Sequence, residues 1–474
     1  MSVRTLMNVQ TRRPRASRPP RLEAMEDRSL PSGYVQTNLA SDVPGQAVIH
    51  DLELVNAWGI VPGTLPTSAW WISCEGTGLS TLYTGDVTQA NGSLSPFVKG
   101  ALTVTIPGGA PTGQVFNAPA VAPGVEDFFV SAVDGGGAVD TAPARFITVS
   151  NTGHVTGWSN VVPSPPVPSR DAQLVATTPG ALYTGLAIGS VGPADFLYAA
   201  DFRNGEIDVF DGTYAPVTPA GDFVDPNLPA GYLPYNIQNL GGKLYVTYAR
   251  QVDADPEPDQ GRGFISVFDT SGNFLDRLVS RGKLREPWGL AVAPANFGEL
   301  SNALLVANHR DGRINAYDPT TGAFIDRLRD ANDEPVRIDG LYGLHFGNGR
   351  IAGDLNALYF TAGPDGGAHG LFGSLRVAPA VAARGATPGG SGGEAAGSLL
   401  SALSGDEAGP APSKLGSVGD DDRPAVVAVV DAPDGGPAPA PIPVGDPIVI
   451  PDTGVGQPAI DGLFAGEADP LKLG

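Results

Sequence analysis

A strand–turn–strand unit recurring about every 50 residues constrains this chain more than any other feature. Its clearest copies are IDVFDG (207–212), ISVFDTSGNF (265–274) and INAYDPTTGAF (314–324). Weaker copies are FITVSNTGHV (146–155) and STLYTGDV (80–87). Each alternates apolar and polar residues and closes on Asp, Asn, Gly or Thr, the pattern of a β-hairpin. FLDRL (274–278) and FIDRL (324–328) then supply near-identical outer strands.

Two further elements precede each hairpin. The first is a run of small and aliphatic residues, suited to a strand packed close to an axis. Its copies are NAWGIVP (56–62), NAPAVAP (117–123), YTGLAIG (183–189), YNIQNLG (235–241), EPWGLAVAP (286–294) and DGLYGLHFG (339–347). The second is an apolar strand: WWISC, DFFVSAV, DFLYAAD, KLYVTYA, ALLVANH and ALYFTAG. A four-strand unit repeated six times at this period predicts an all-β fold, a six-bladed β-propeller of four-stranded antiparallel blades. A helical solenoid would need a 3.6-residue period and few glycines. YVQTNLAS (34–41) is expected to pair with LFGSLRV (371–377) and close the ring, which removes free sheet edges.

Composition sets the ends of the ring. The chain has 64 glycines and 45 prolines in 474 residues, concentrated in turns and in the last hundred positions. From residue 378 to 474 the sequence is Ala, Gly, Pro and Ser with acidic punctuation, a composition that cannot bury enough apolar surface to offset ordering entropy. It reads as a disordered tail. Residues 1–33 are basic, with seven arginines from Arg4 to Arg28, and lack the apolar core of an ordinary secretory signal. They read either as a disordered basic arm or as a sorting segment. The net charge of −21 argues against a nucleic-acid partner, because phosphate binding needs a basic face. No apolar run is long enough to predict a transmembrane helix. Cys74 is the sole cysteine, so no intrachain disulfide can form, and a buried strand position is expected for it.

Two resemblances follow from longer motifs. Residues 18–33, RPPRLEAMEDRSLPSG, resemble the short N-terminal motif of many large exported planctomycete proteins, with Leu22, Glu23, Met25, Glu26, Asp27, Arg28, Pro31 and Ser32 carrying the match. The resemblance implies an extracellular or cell-surface location. The stretches YVQTNLASDVPGQAVIHDLELVNAWGI, NALLVANHRDGRINAYDPTTG and NALYFTAGPDGGAHGLFGSL resemble a bacterial family of secreted β-propellers of unknown function, with NHL-like repeats. That family implies a propeller and export, and supplies no catalytic residue.

Chemistry in a propeller is expected where inner strands begin, because six strand starts converge on one mouth of the channel. Aligning the tight strands places Asn56, Asn117, Thr184, Asn236 and Glu286 there, with Asp339 one residue away. Amide and carboxylate oxygens suit Ca²⁺; the same residues also serve simply as turn formers. His309 and His345 are candidates for the ligand-binding face. The acidic loop 251–263, with Asp253, Asp255, Glu257 and Asp259, reads as a solvated surface loop. No zinc, phosphate-loop or serine-hydrolase motif occurs. Two functions remain open: a non-catalytic binding or scaffold module for a protein, glycan or small molecule, and a Ca²⁺-dependent hydrolase of lactonase type.

Overall fold

The computed structural model describes residues 33–118, 127–250 and 263–379. The expected disordered tails and the acidic loop after Arg250 lie outside the described residues, apart from short ends.

The described chain is all-β and forms six four-stranded antiparallel blades. Blade 1 runs outward through Ala57–Pro62, Trp70–Cys74, Leu79–Thr84 and Val98–Thr105. Blade 3 uses Tyr183–Val191, Ala194–Asp201, Glu206–Asp211 and Pro216–Val217, and blade 4 uses Tyr232–Leu240, Lys243–Arg250, Phe264–Phe268 and Phe274–Ser280. Blade 5 is Pro287–Val292, Leu304–Asn308, Ile314–Tyr317 and Phe324–Arg327. Blade 6 is built from both ends of the ring. Leu341–Phe346, Leu358–Ala362 and Leu371–Val377 are followed outward by Tyr34–Ser41, paired antiparallel from Tyr34↔Val377 to Ser41↔Leu371. The expected closure is thus the observed one. Ile49–His50 adds a short parallel pairing outside it.

Blade 2 corrects the sequence reading. Its inner strand is Pro111–Phe116, not NAPAVAP, and its next strands are Phe146–Ser150, His154–Trp158 and Gln173–Thr177. Phe129–Val133, expected as the second strand, instead pairs with Val139–Pro143 in a separate hairpin. The sequence offered two apolar runs for one strand. FITVS buries all five residues between its neighbours, whereas DFFVSAV exposes Phe129, Ser131 and Val133. Full burial on both faces decides which run enters the blade.

Each interface between neighbouring blades holds its own apolar core. Trp71, Phe146 and Trp158 fill the space between blades 1 and 2, and Trp70, Tyr359 and Phe372 that between blades 6 and 1. Buried carboxylates are satisfied by hydrogen bonds, as Asp201 is by the Leu182, Arg203 and Asn204 N–H groups, or by arginine. Asp225, with a fully buried side chain, takes a bidentate bond from Arg277 at 2.6 and 2.5 Å and a third from Ser266 Oγ at 2.7 Å. Arg376 of the closing blade donates to Asp86 of blade 1 at 2.8 Å and to Asp354 at 3.2 Å. Paired and hydrogen-bonded, these charges offset a desolvation cost that an isolated one could not.

Candidate functional site

The strand pairings fix which residues are equivalent around the axis. In every blade the inner strand carries a bulge just after its start, so that Ala57 and Ile60 of blade 1 correspond to Pro287 and Leu290 of blade 5 and to Leu341 and Leu344 of blade 6. The same spacing gives Pro111 and Gln114, Tyr183 and Leu186, and Pro234 and Ile237 in blades 2, 3 and 4. Within the bulge, Gly59, Gly113, Gly185, Gly289 and Gly343 therefore share one level, with Asn236 as the sixth member. Here the inner strands almost touch. A Cβ on Gly113 would lie 2.4 Å from the Leu186 nitrogen, and one on Gly289 2.3 Å from the Tyr342 oxygen. Asn236 fits because its amide donates to the Trp288 carbonyl at 2.8 Å.

The residue before that level is Trp58, Tyr235, Trp288 or Tyr342 in four blades and threonine in the other two. These aromatics fill the upper end of the channel. Tyr342 stacks on Trp58, and Trp288 stands edge-on to both. Phe202 and His309, from loops joining second to third strands, lie against Tyr235, and His309 also stacks on Tyr342 with centroids 4.2 Å apart. Trp288 Nε1 donates to the Thr184 carbonyl at 2.9 Å. The mouth expected to hold polar ligands holds an aromatic plug.

The predicted ligand set accordingly separates. Asn56 and Glu286 do occupy equivalent strand starts, both with positive φ, 48° and 52°. Asp339 precedes the third such position, Gly340, and accepts the Asp365 N–H at 2.8 Å. Thr184 and Asn236 lie two and three residues further along their strands. Asn117 follows the end of its inner strand, at the opposite face. It is fully buried, donating to the Ala144 carbonyl at 2.9 Å. Of the residues expected at the channel, Asn56, Glu286, Asp339 and His309 share the upper face. Glu286 pairs with Arg310 at 3.1 Å, and Glu75, which sequence reasoning missed, accepts amide bonds from Asn56 and Asn151, both at 2.7 Å. Among the described residues no group of three or more His, Cys, Asp or Glu comes together in a way that could hold a metal. Burial pulls the His309 imidazole below its ordinary pKa, against the opposing pull of Glu286 and Asp339.

Beneath the plug the channel widens into a cavity of about 360 Å³ that opens toward the ends of the inner strands. Trp288 lines its closed end, Thr64 and Asn348 stand toward the lower end, and Ile60, Leu186, Ile237 and Leu344 form apolar walls. Among the described residues no Asp, Glu, Lys or Arg lines it. His345 does, alongside Gln114, Gln238 and Asn239. Its Nδ1 lies 2.5 Å from the Phe346 carbonyl, its ring stands edge-on to Trp70, and burial lowers its pKa.

No family model matches the chain. It is 30% identical to the uncharacterised protein L690 of Acanthamoeba polyphaga mimivirus over 347 residues, which span 69% of this chain and 81% of that one. It is 40% identical to the uncharacterised protein R648 of the same virus over 203 residues, covering 41% of this chain and about half, 48%, of the relative. Among solved structures, an auxiliary nutrient-binding protein of Bacteroides thetaiotaomicron overlaps it with a TM-score of 0.44 and 9% identity, over 73% of this chain and 76% of that one. An overlap that loose transfers neither ligand nor chemistry. At 30% identity over 81% of that relative, the chain belongs to the family of the uncharacterised mimivirus protein L690.

Proposed function

We propose that this protein is a non-catalytic binding propeller of the cell exterior, with the lower half of the channel as its ligand pocket. The observation that carries the reading is the cavity itself: closed above by aromatic rings, walled by aliphatic side chains and supplied with a few convergent polar groups, the usual make-up of a small-molecule site. Among the described residues its lining offers no carboxylate, lysine, serine or cysteine as a nucleophile and no acidic partner for His345. Support for an exterior location comes from the N-terminal motif and the acidic balance of the chain.

The test is a thermal-shift screen of the full chain against small metabolites and envelope glycans, run beside turnover assays on lactones and esters. A ligand that binds only the folded state raises the melting temperature by mass action. Turnover that depends on Ca²⁺ would replace this reading with the hydrolase. That second reading is favoured by one observation, the shared strand-start register of Asn56 and Glu286 on the upper face beside Glu75 and Asp339. Cell fractionation tests the location, and retention of the chain in the cytosol would contradict it.

A further inference from the structure

Most polar groups in the cavity are already committed to the protein. Gln114 accepts from Ser73 Oγ at 3.0 Å and donates to Ser80 Oγ at 3.4 Å. Asn239 donates to the Ile188 carbonyl and accepts from the Gly242 N–H, both at 2.9 Å. Asn348 spends its amide on the Gly63 and Ser68 carbonyls and its oxygen on the Arg350 and Ala352 N–H groups. Asn236 caps Trp288. These bonds hold the wall in place and offer little to a ligand.

Two polar side chains on different blades, His345 and Gln238, each keep a hydrogen-bonding atom for a ligand. A ring nitrogen 2.5 Å from a carbonyl oxygen must carry the proton, so His345 Nδ1 is the donor to Phe346 and Nε2 is a bare acceptor. Gln238 Oε1 accepts the Leu290 N–H at 3.2 Å, which orients the amide and leaves its NH₂ as a donor. One acceptor and one donor, fixed at separate points of an uncharged, apolar cavity, suit a hydroxyl group, which can give to one and take from the other. A charged ligand would lose its hydration without gaining a countercharge. The closed upper end excludes a polymer threaded through the ring, and the cavity is at the small end of ligand-site volumes.

From this geometry we infer that the pocket takes a small neutral polyol, a free monosaccharide or the terminal sugar of a glycan, whose C–H faces lie on the aliphatic wall while its hydroxyls meet His345 Nε2 and the Gln238 amide. The inference rests on the proposed binding function and narrows it to a ligand class.

Titration calorimetry on the full chain tests it, with glucose, galactose, N-acetylglucosamine and maltose as neutral probes and glucuronate and glucosamine as charged ones. The expected result is binding of at least one neutral sugar, with its closest charged counterpart weaker by at least about tenfold. Thr64→Trp, at the lower end, and His345→Phe, which removes the acceptor, should each weaken binding by about tenfold or more, with His345→Gln recovering part of it. Melting curves establish that each variant is folded. The charged-against-neutral comparison on the unaltered chain stands even where a variant does not fold. Equal affinity for charged and neutral sugars, binding untouched by Thr64→Trp, or no neutral sugar bound at roughly 10 mM would each overturn the inference. A different ligand found by the thermal-shift screen would then leave the binding function standing; no ligand at all would sink both.

Discussion

Tyr342 lies flat against Trp58, with ring centroids 4.0 Å apart and planes 20° from parallel, so the last blade and the first meet at the axis as well as at the rim. Trp58 is 9% exposed and Tyr342 6%, in a cluster that contacts blades 4 and 5 as well. Replacing Trp58 with alanine should cost about 3–5 kcal/mol, the usual penalty for truncating a buried aromatic. Urea denaturation would report it, and a loss below roughly 1 kcal/mol would show that the plug is not part of the load on the fold.

Gly113 is predicted to be intolerant for a different reason. Any side chain there must push blade 3 away, because the nearest atoms are backbone. Gly113→Ala should destabilise by about 1–3 kcal/mol through overpacking. Asn236→Gly provides the contrast: it removes a bond to Trp288 and introduces no clash, so a cost of only about 1 kcal/mol is expected.

The Asp225–Arg277 pair should be the most sensitive ion pair among these. Arg277→Met leaves a buried carboxylate with bonds from the Ser266 hydroxyl and the Asn227 N–H but no cation, for a loss of about 3–5 kcal/mol. Asp225→Asn with Arg277→Met should recover much of it. A double-mutant cycle with no coupling would refute the assignment.

Acid should weaken the protein in two stages. His309 and His345 bind protons less readily when folded than when unfolded, so their contribution is complete above about pH 6.5 and declines as pH falls below it. The Asp225 and Asp354 carboxyls are held below their ordinary range by hydrogen bonds and arginine, against the opposing effect of burial. They contribute above about pH 4 and lose that contribution as pH falls through the folded value. Melting temperature against pH should therefore begin to fall near pH 6.5 and fall again below pH 4. In His345→Gln the first decline should shrink, and an unchanged first decline would exclude His345 as its source.

Cys74 should resist modification. The thiol is fully buried at the end of its strand, and burial pushes its pKa up to about 12. Labelling by a thiol reagent should match the rate of unfolding; rapid native labelling would mean that blade 1 opens locally.

How far the sequence led can be judged from blade 2 and the channel mouth. The repeat gave the blade number, the closing strand and five of six inner strands, because burial on both faces leaves a strong aliphatic signature. It failed where an inserted hairpin, Phe129–Val133 with Val139–Pro143, presented a second apolar run. That error carried Asn117 to the wrong face. A better marker was present in the dipeptides Trp58-Gly59, Thr112-Gly113, Thr184-Gly185, Trp288-Gly289 and Tyr342-Gly343. They record the level at which backbones touch, and aligning on them would have shown aromatic residues at the mouth. The free atoms of His345 and Gln238 had no such signal. Which atoms of His345 and Gln238 remain free depends on bonds to Phe346 and Leu290, and those follow from side-chain orientation.

The pairing of Tyr34 with Val377 has a mechanical consequence. In an antiparallel pair the start of one strand lies beside the end of the other, so the chain enters and leaves the ring at one corner. Tension applied between the two ends would act on this pair as on a zipper, parting its bonds one at a time instead of shearing them together. A ring held by one end alone carries no such load, and both of its faces stay clear of the tether. Stretching single molecules between residues 33 and 378 should therefore open the seam at low force, before any other blade yields; a high-force first event would contradict this.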